Sequence, residues 1–419
     1  LQIKIPTLRY RQMGNILNII NSKNDFKKTG GLLPLESGPF FNFEFENNIK
    51  YKFHNLKYIS KLNNYFYIVE IAHDFGITDS ISEILKMDKL IKLINNDKCK
   101  VILGHESEAD INYSKFNNWY SKVCKPLENK VKFSNFYIFN ADLNCQKNNK
   151  TKINFFPSTN HMECASYDLN HMIKHSKGHQ VTEMDYDFNY KTIQDIDSDK
   201  KTKHFLSFMR GMHDHRRALA AYFEHNDLWY NNIISFLKID WDNTGDVPEM
   251  LPKKYWESHN KLHNREAVEI DTQNLKNKGA FSTTFTSKWE FYEETFLSVV
   301  SETLYDNDRL YFTEKICKPL MCLHPFILVT SPHSLKKLKE FGYKTFHPFI
   351  DESYDNEEDG LKRMQMIFDE LDKFRARPIQ ELKDWWNEIL PILEHNQKVF
   401  LKFGKTKSDR IKFMEKLND

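Results

Sequence analysis

The sequence predicts an α/β protein of two Rossmann-like lobes facing a central cleft, closed by C-terminal helices. Three observations carry that prediction. Short apolar strands alternate with amphipathic helices from about residue 64, a pattern that indicates a parallel sheet with crossover helices. The alternation gives way to a polar, charged stretch, DFNYKTIQDIDSDKKTK (187–203), and then restarts. Finally, 419 residues exceed what one ordinary core accommodates and fit two domains.

In the first half, YFYIVEIA (65–72) is rich in aromatic and β-branched residues and reads as a buried strand. SISEILKMDKLIKLI (80–94) places Ile84, Leu85, Leu90, Leu93 and Ile94 at helical spacing. KVILGH (100–105) reads as a strand, 114–128 as a helix, and NFYIFN (135–140) and KINFFPS (152–158) as further strands. In the second half, HFLSFM (204–209) is a strand, HRRALAAYFEHND (215–227) a helix and NNIISFL (231–237) a strand. A loop-rich insertion runs from about 240 to 278. After it come the strand FLSVVSET (296–303), a helix from near Thr313, the strand HPFILV (324–329), the helix SLKKLKEFG (334–342) and a short strand YKTF (343–346). Long helical stretches containing Trp385 and Trp386 close the chain. The expected domains are 1–195, 204–375, and C-terminal helices over 376–419 that can pack back on the first lobe.

Composition sets the broad class. Hydrophobic residues at 40% and charged residues at 28% describe a globular chain. Sixty Lys and Arg against 58 Asp and Glu give a net charge of +2, without the basic excess of a dedicated nucleic-acid binder. The six cysteines are scattered with no CxxC pair, which suits a reducing compartment. No apolar run approaches the roughly 18 residues that span a membrane, and LQIKIPTLRYRQMG has no signal-peptide core. A cytoplasmic protein, in a cell or an infected host, is expected; the chain starts without Met, which leaves an upstream piece open. With neither a GxGxxG nor a Walker A loop, a dinucleotide oxidoreductase and a P-loop NTPase are both unsupported.

Two polar clusters carry candidate chemistry. In SETLYDNDRLYFTEKICKPL (301–320), Thr313 is placed to cap a helix whose first turn holds Glu314 and Lys315. Free N–H groups and the dipole at such a start attract phosphate, and the lysine adds a full charge. The plainer alternative is a surface ion pair between Glu314 and Lys318, four residues apart. In FLSFMRGMHDHRRALAAYF (205–223), Arg210, Arg216 and Arg217 straddle a strand-to-helix connection. Guanidinium groups grip diphosphates through paired bonds; the alternative is a solvated basic helix start.

These motifs carry a resemblance. FTEKICKPL resembles the Thr-Glu-Lys motif of the fucosyltransferase-like branch of the GT-B glycosyltransferases, and SETLYDNDRLYFTEK (301–315) resembles that family's segment leading into it. LSFMRGMHDHRRALAAYF is similar to its strand–Arg–helix element. The stretch through HPFILVTSPHSLKKLKEFGYKTFHPFIDESYDNEED also resembles glycosyltransferases of phages and large DNA viruses, so that the match spans roughly 204–375. The resemblance implies a GT-B fold and transfer of a sugar from a nucleotide diphosphate donor, with inversion. It implies that Glu314 holds the donor ribose, Lys315 the diphosphate, and Arg216 the leaving phosphate, with Glu302 lining the pocket. Arg210, Thr313 and Lys318 complete the expected donor site. The chain departs from the family in having Ser301-Glu302-Thr303 where the family has Glu-Asn-Ser, and in the early Pro319, which is expected to kink the helix.

The first lobe is expected to supply a general base at a strand end: Glu106 in GHESEAD (104–110), then Asp74 in IAHDFG (71–76). Each can equally be a loop acid in solvent. His171, His175 and His179, near His161 and Cys164, fall at helical spacing, but Gly178 interrupts the helix and no carboxylate completes a metal set. DESYDNEED (351–359) lacks EF-hand spacing and reads as an acidic turn; Trp385 and Trp386 read as packed or domain-bridging. The expected reaction is therefore metal-independent and needs no cofactor beyond the nucleotide-sugar substrate. Its acceptor is a glycan or a hydroxylated base in viral DNA. The competing reading is a catalytically silent nucleotide-sugar-binding or structural protein of the same fold.

Overall fold

The computed structural model describes residues 16–20, 50–54, 65–70, 76–105, 111–159, 162–163, 166, 191–211, 213–239, 246–268, 270, 289–305 and 308–403. It is a mixed α/β protein with two parallel sheets. The chain divides into two compact units. The first takes the residues up to Asn140 together with Cys145–Ser158, and the second takes Ala141–Asn144 and continues from Thr159.

The first unit carries strands β1 (Ile16–Ile20), β2 (Lys50–His54), β3 (Tyr65–Glu70), β4 (Cys99–His105), β5 (Phe136–Asn140) and β6 (Asn154–Pro157). They pair in the order β2-β1-β3-β4-β5-β6, every neighbouring pair parallel. The sheet thus begins two strands before the alternation legible in the sequence. The helix expected over 80–94 is two helices, α1 (Ile77–Ile84) and α2 (Asp88–Asn95). Lys86 N–H tightens back onto the Glu83 carbonyl at 3.1 Å, and Met87 leaves helical geometry before the second helix starts. Ile77, Ile81 and Ile84 of α1 and Leu90 and Ile94 of α2 are buried, each set on one helical face. Helix α3 (Tyr113–Val123) starts where Asn112 accepts the Lys115 N–H at 2.9 Å, and a 3₁₀ turn holding Pro126 follows it. A one-turn helix, α4 (Cys145–Asn148), precedes β6.

The second unit carries β7 (Lys203–Gly211), α5 (Asp214–His225), β8 (Ile233–Ile239), α6 (Trp256–Leu262), α7 (Trp289–Glu294), β9 (Thr295–Ser301), α8 (Glu314–Met321), β10 (Phe326–Val329), α9 (Ser334–Glu340), α10 (Gly360–Arg375) and α11 (Ile379–Phe403). Its sheet runs β10-β9-β7-β8, again all parallel. β9 is buried along its whole length. Its polar side chains are satisfied inside: the Ser298 hydroxyl meets His324 Nδ1 at 2.8 Å, while His324 Nε2 reaches the Thr295 carbonyl at 2.8 Å. Because a carbonyl only accepts, the proton sits on Nε2 and Nδ1 accepts from the serine. Burial holds His324 well below the usual histidine range, so the ring is neutral.

The polar stretch that separates the two runs of alternation belongs, from Lys191 on, to the second unit. Lys201 is buried there, donating to the carbonyls of Tyr292 and Thr295 at 2.8 Å each beneath the Trp386 ring. The described part of the C-terminal helices also joins this unit. Trp385 and Trp386 are buried, Trp385 stacks on Phe349 at 4.3 Å, and Gln397 donates to the Met321 carbonyl at the end of α8. YKTF (343–346) is not a strand. Side chains take several of its backbone bonds, with Lys344 N–H and C=O both held by Asn396 and the Phe346 N–H by Glu352. The acidic run 351–359 is a set of backbone caps: Asp355 accepts the Leu335 and Lys336 N–H groups at the start of α9, and Asp359 those of Leu361 and Lys362 in α10.

Candidate functional site

The second sheet reverses its strand order between β7 and β9, with β8 added beyond one and β10 beyond the other. In open parallel sheets, ligands sit outside the carboxyl ends of the strands at such a reversal. Here those ends are Gly211 and Ser301, and the helices that follow, α5 and α8, bring both polar clusters of the sequence to them.

Arg216, on the first turn of α5, folds its guanidinium back across the strand ends. Nη1 donates to the Gly211 carbonyl at 2.9 Å, and Nη2 to the carbonyls of Glu302 at 3.0 Å and Ser301 at 3.4 Å. The side chain is 4% exposed. His215, one residue earlier, donates from Nε2 to the same Glu302 carbonyl at 2.8 Å. Burial, with Arg216 alongside, holds the His215 ring well below the usual histidine range. The ring also stacks on Tyr305 at 5.5 Å and 11°. Arg217 points elsewhere, pairing with Asp214 and donating to the Asp246 carbonyl at 3.0 Å.

Glu302 is fully buried, and its carboxylate occupies the start of α8. Oε1 accepts the N–H groups of Thr313 at 3.2 Å and Ile316 at 3.3 Å, while Oε2 accepts the Thr313 hydroxyl at 2.5 Å. Burial pushes the Glu302 carboxyl up, against the pull of Lys315 and Thr313. Thr313 in turn caps the helix by accepting the Lys315 N–H at 3.2 Å. Three N–H groups of this helix start are therefore committed within the protein. The expectation of free N–H groups awaiting a phosphate is corrected for these three, which Glu302 and Thr313 already take. The helix also continues through Pro319 to Met321.

Lys315 Nζ lies 3.1 Å from Thr313 Oγ1, 3.1 Å from Glu314 Oε1 and 3.3 Å from Thr303 Oγ1. The Lys315 and Glu314 side chains are 26% and 29% exposed, in contrast to buried Arg216 and Glu302. Lys318, one turn on, sits 5.2 Å over the Phe208 ring and, with Lys315, lines a small cavity against β7 and β9 that Ser301 also borders. Arg210 is exposed near the end of β7. The structure thus brings Arg216, Glu302, Thr313, Glu314 and Lys315 together around the 301–303 segment, as three buried framing side chains and an accessible ion pair. Asp74 and Glu106, which follow β3 and β4 in sequence, lie outside the described residues, as do His161, Cys164, His171, His175 and His179. Among the described residues no group of three or more His, Cys, Asp or Glu side chains is gathered for a metal, and no helix is long and apolar enough to cross a membrane.

Sequence reasoning missed His215, Tyr305 and Asp142. Asp142 is buried and accepts the Leu310 N–H at 2.9 Å, fixing the loop that leads into α8. None of the three carries a spacing signal; only the fold brings residue 142 to residue 310.

No protein-family model and no curated protein matches the chain. Among solved structures it is similar to one titled crystal structure of alpha1,3-fucosyltransferase, at 12% identity, over 93% of this chain and 84% of that one, with a TM-score of 0.37.

Proposed function

We propose that the second unit binds a nucleotide diphosphate-sugar and that the protein is a glycosyltransferase. The observation that carries the reading is the meeting of Arg216 and Lys315 on one segment, 301–303, at the strand-order reversal of a parallel sheet. The motif resemblance of 301–320 and 205–223 points to the same chemistry. In this reading Lys315 exchanges its contacts with Thr313 and Glu314 for the diphosphate, which frees the Glu314 carboxylate to accept from ribose hydroxyls. Lys318 and Arg210 add positive charge around the departing nucleotide. Arg216 and Glu302 hold the frame: one fixes the strand ends, the other the helix start. Such preorganised charge is worth about 10²–10³ in rate per donor removed. Either Glu106 or Asp74 takes the proton of the acceptor hydroxyl, and the transfer proceeds with inversion and without a metal. The acceptor is a glycan or a hydroxylated base in DNA.

The test is direct. Incubating the full chain with UDP-, GDP- and CMP-linked sugars and measuring release of the free nucleotide, with and without glycan or hydroxymethylated DNA, should give turnover with one donor. Thermal shift with the same compounds should raise the melting temperature for that donor alone. Absence of both binding and turnover for every donor would remove the reading.

A further inference from the structure

Resting on that reading of the site, we infer that Arg363 of α10 is a positioning residue for the donor, acting through Tyr305 and His215. The geometry forms a continuous relay. Arg363 is 1% exposed; Nη2 donates to the Tyr305 carbonyl at 2.8 Å and Nη1 to the Glu357 carbonyl at 2.7 Å, while its guanidinium lies 4.2 Å over the Tyr305 ring. The Tyr305 hydroxyl donates to the Gly360 carbonyl at 2.9 Å, so tyrosine and arginine clamp one another across the start of α10. The same ring also stacks on His215, near-parallel at 11°, whose Nε2–H fixes the Glu302 carbonyl at 2.8 Å beside Arg216. Buried Arg363, Tyr305, His215 and Arg216, from three separate stretches of chain, therefore set the position of residues 301–303, on which Lys315 rests.

A guanidinium suits this place because its planar, delocalised face lies on the Tyr305 ring while separate N–H groups of its fixed fork reach two carbonyls. Nothing in the relay touches the proposed diphosphate. Its effect is to hold the Glu302 main chain, and with it the start of α8, at the spacing from α5 that the donor needs.

The experiment is calorimetric titration of the full chain with UDP and GDP, alongside melting curves, for the wild type and for Arg363→Met, Arg363→Lys, Tyr305→Phe and Tyr305→Leu. Arg363→Met and Tyr305→Leu should each weaken nucleotide binding about tenfold in the molecules that remain folded, with binding stoichiometry referred to the folded fraction. Arg363→Lys should recover only part of that loss, and Tyr305→Phe, which keeps the ring that both arginine and histidine contact, most of it. A residue that merely stabilised the fold would lower the folded fraction and leave the dissociation constant unchanged, and that result would overturn the inference. Absence of nucleotide binding in the wild type itself would instead overturn the reading of the site, and the inference with it.

Discussion

Glu302 and Thr313 are locked together at the start of α8: the buried carboxylate accepts both the hydroxyl and the N–H of the threonine, and reaches on to the Ile316 N–H. The pair ties the end of β9 to the helix that carries Glu314 and Lys315. It also leaves the Lys315 side chain, rather than those N–H groups, to meet the diphosphate proposed above. Removing the carboxylate leaves buried N–H groups unpaired, so Glu302→Ala should cost about 2–3 kcal/mol of stability, read as a lower urea midpoint. Glu302→Gln, which keeps one acceptor oxygen, should cost less. Equal melting of wild type and Glu302→Ala would show that the contact contributes nothing.

Arg216 should behave differently from Lys318. Arg216 gives its donors to three main-chain carbonyls in a buried setting, so Arg216→Ala should lower both the melting temperature and nucleotide affinity. Lys318 packs over a partly exposed ring, and Lys318→Ala should weaken nucleotide binding roughly three- to tenfold with little change in melting. Melting curves and titrations on the two variants separate the effects.

Lys201 gives a pH signature. Burial lowers its ammonium from the usual 10.5 to about 7. The unfolded chain therefore binds more protons between about pH 7 and 10.5, and stability rises with pH across that window and falls as pH drops toward 7. The neutral amine retains two N–H groups for the two carbonyls it serves. Melting temperature should climb from pH 7 to pH 9.5, by an amount on the order of a few kcal/mol in stability, and Lys201→Met should flatten the climb.

The acceptor base is tested by Glu106→Ala and Asp74→Ala. One of them should lose about 10²–10⁴ in turnover while donor affinity, measured by titration, stays within twofold of the wild type. Full activity in both variants would place the base elsewhere.

Much of the fold was legible because periodicity reports local burial. The strands at YFYIVE, KVILGH and HFLSFM and the helix of HRRALAAYFEH stand within a residue or two of where their patterns place them. What stayed hidden depended on partners distant in sequence. β1 and β2 are five-residue strands whose identity comes from pairing with each other and with β3. YKTF has a strand's composition but is pinned by Asn396, some fifty residues on. In the site, the sequence singled out Arg216, Glu314 and Lys315 by residue type and context. It had no means of showing that Glu302 faces the helix N–H groups, or that a histidine and a tyrosine ninety residues apart stack behind them.

The central claim is that Lys315 and its surroundings hold a nucleotide diphosphate. Its most direct test is titration of wild type and Lys315→Ala with the nucleoside diphosphate of whichever donor shifts the melting curve. The account predicts saturable binding that weakens about 10- to 100-fold in the variant, with melting of the unliganded protein nearly unchanged. Equal affinity in the two proteins would contradict it.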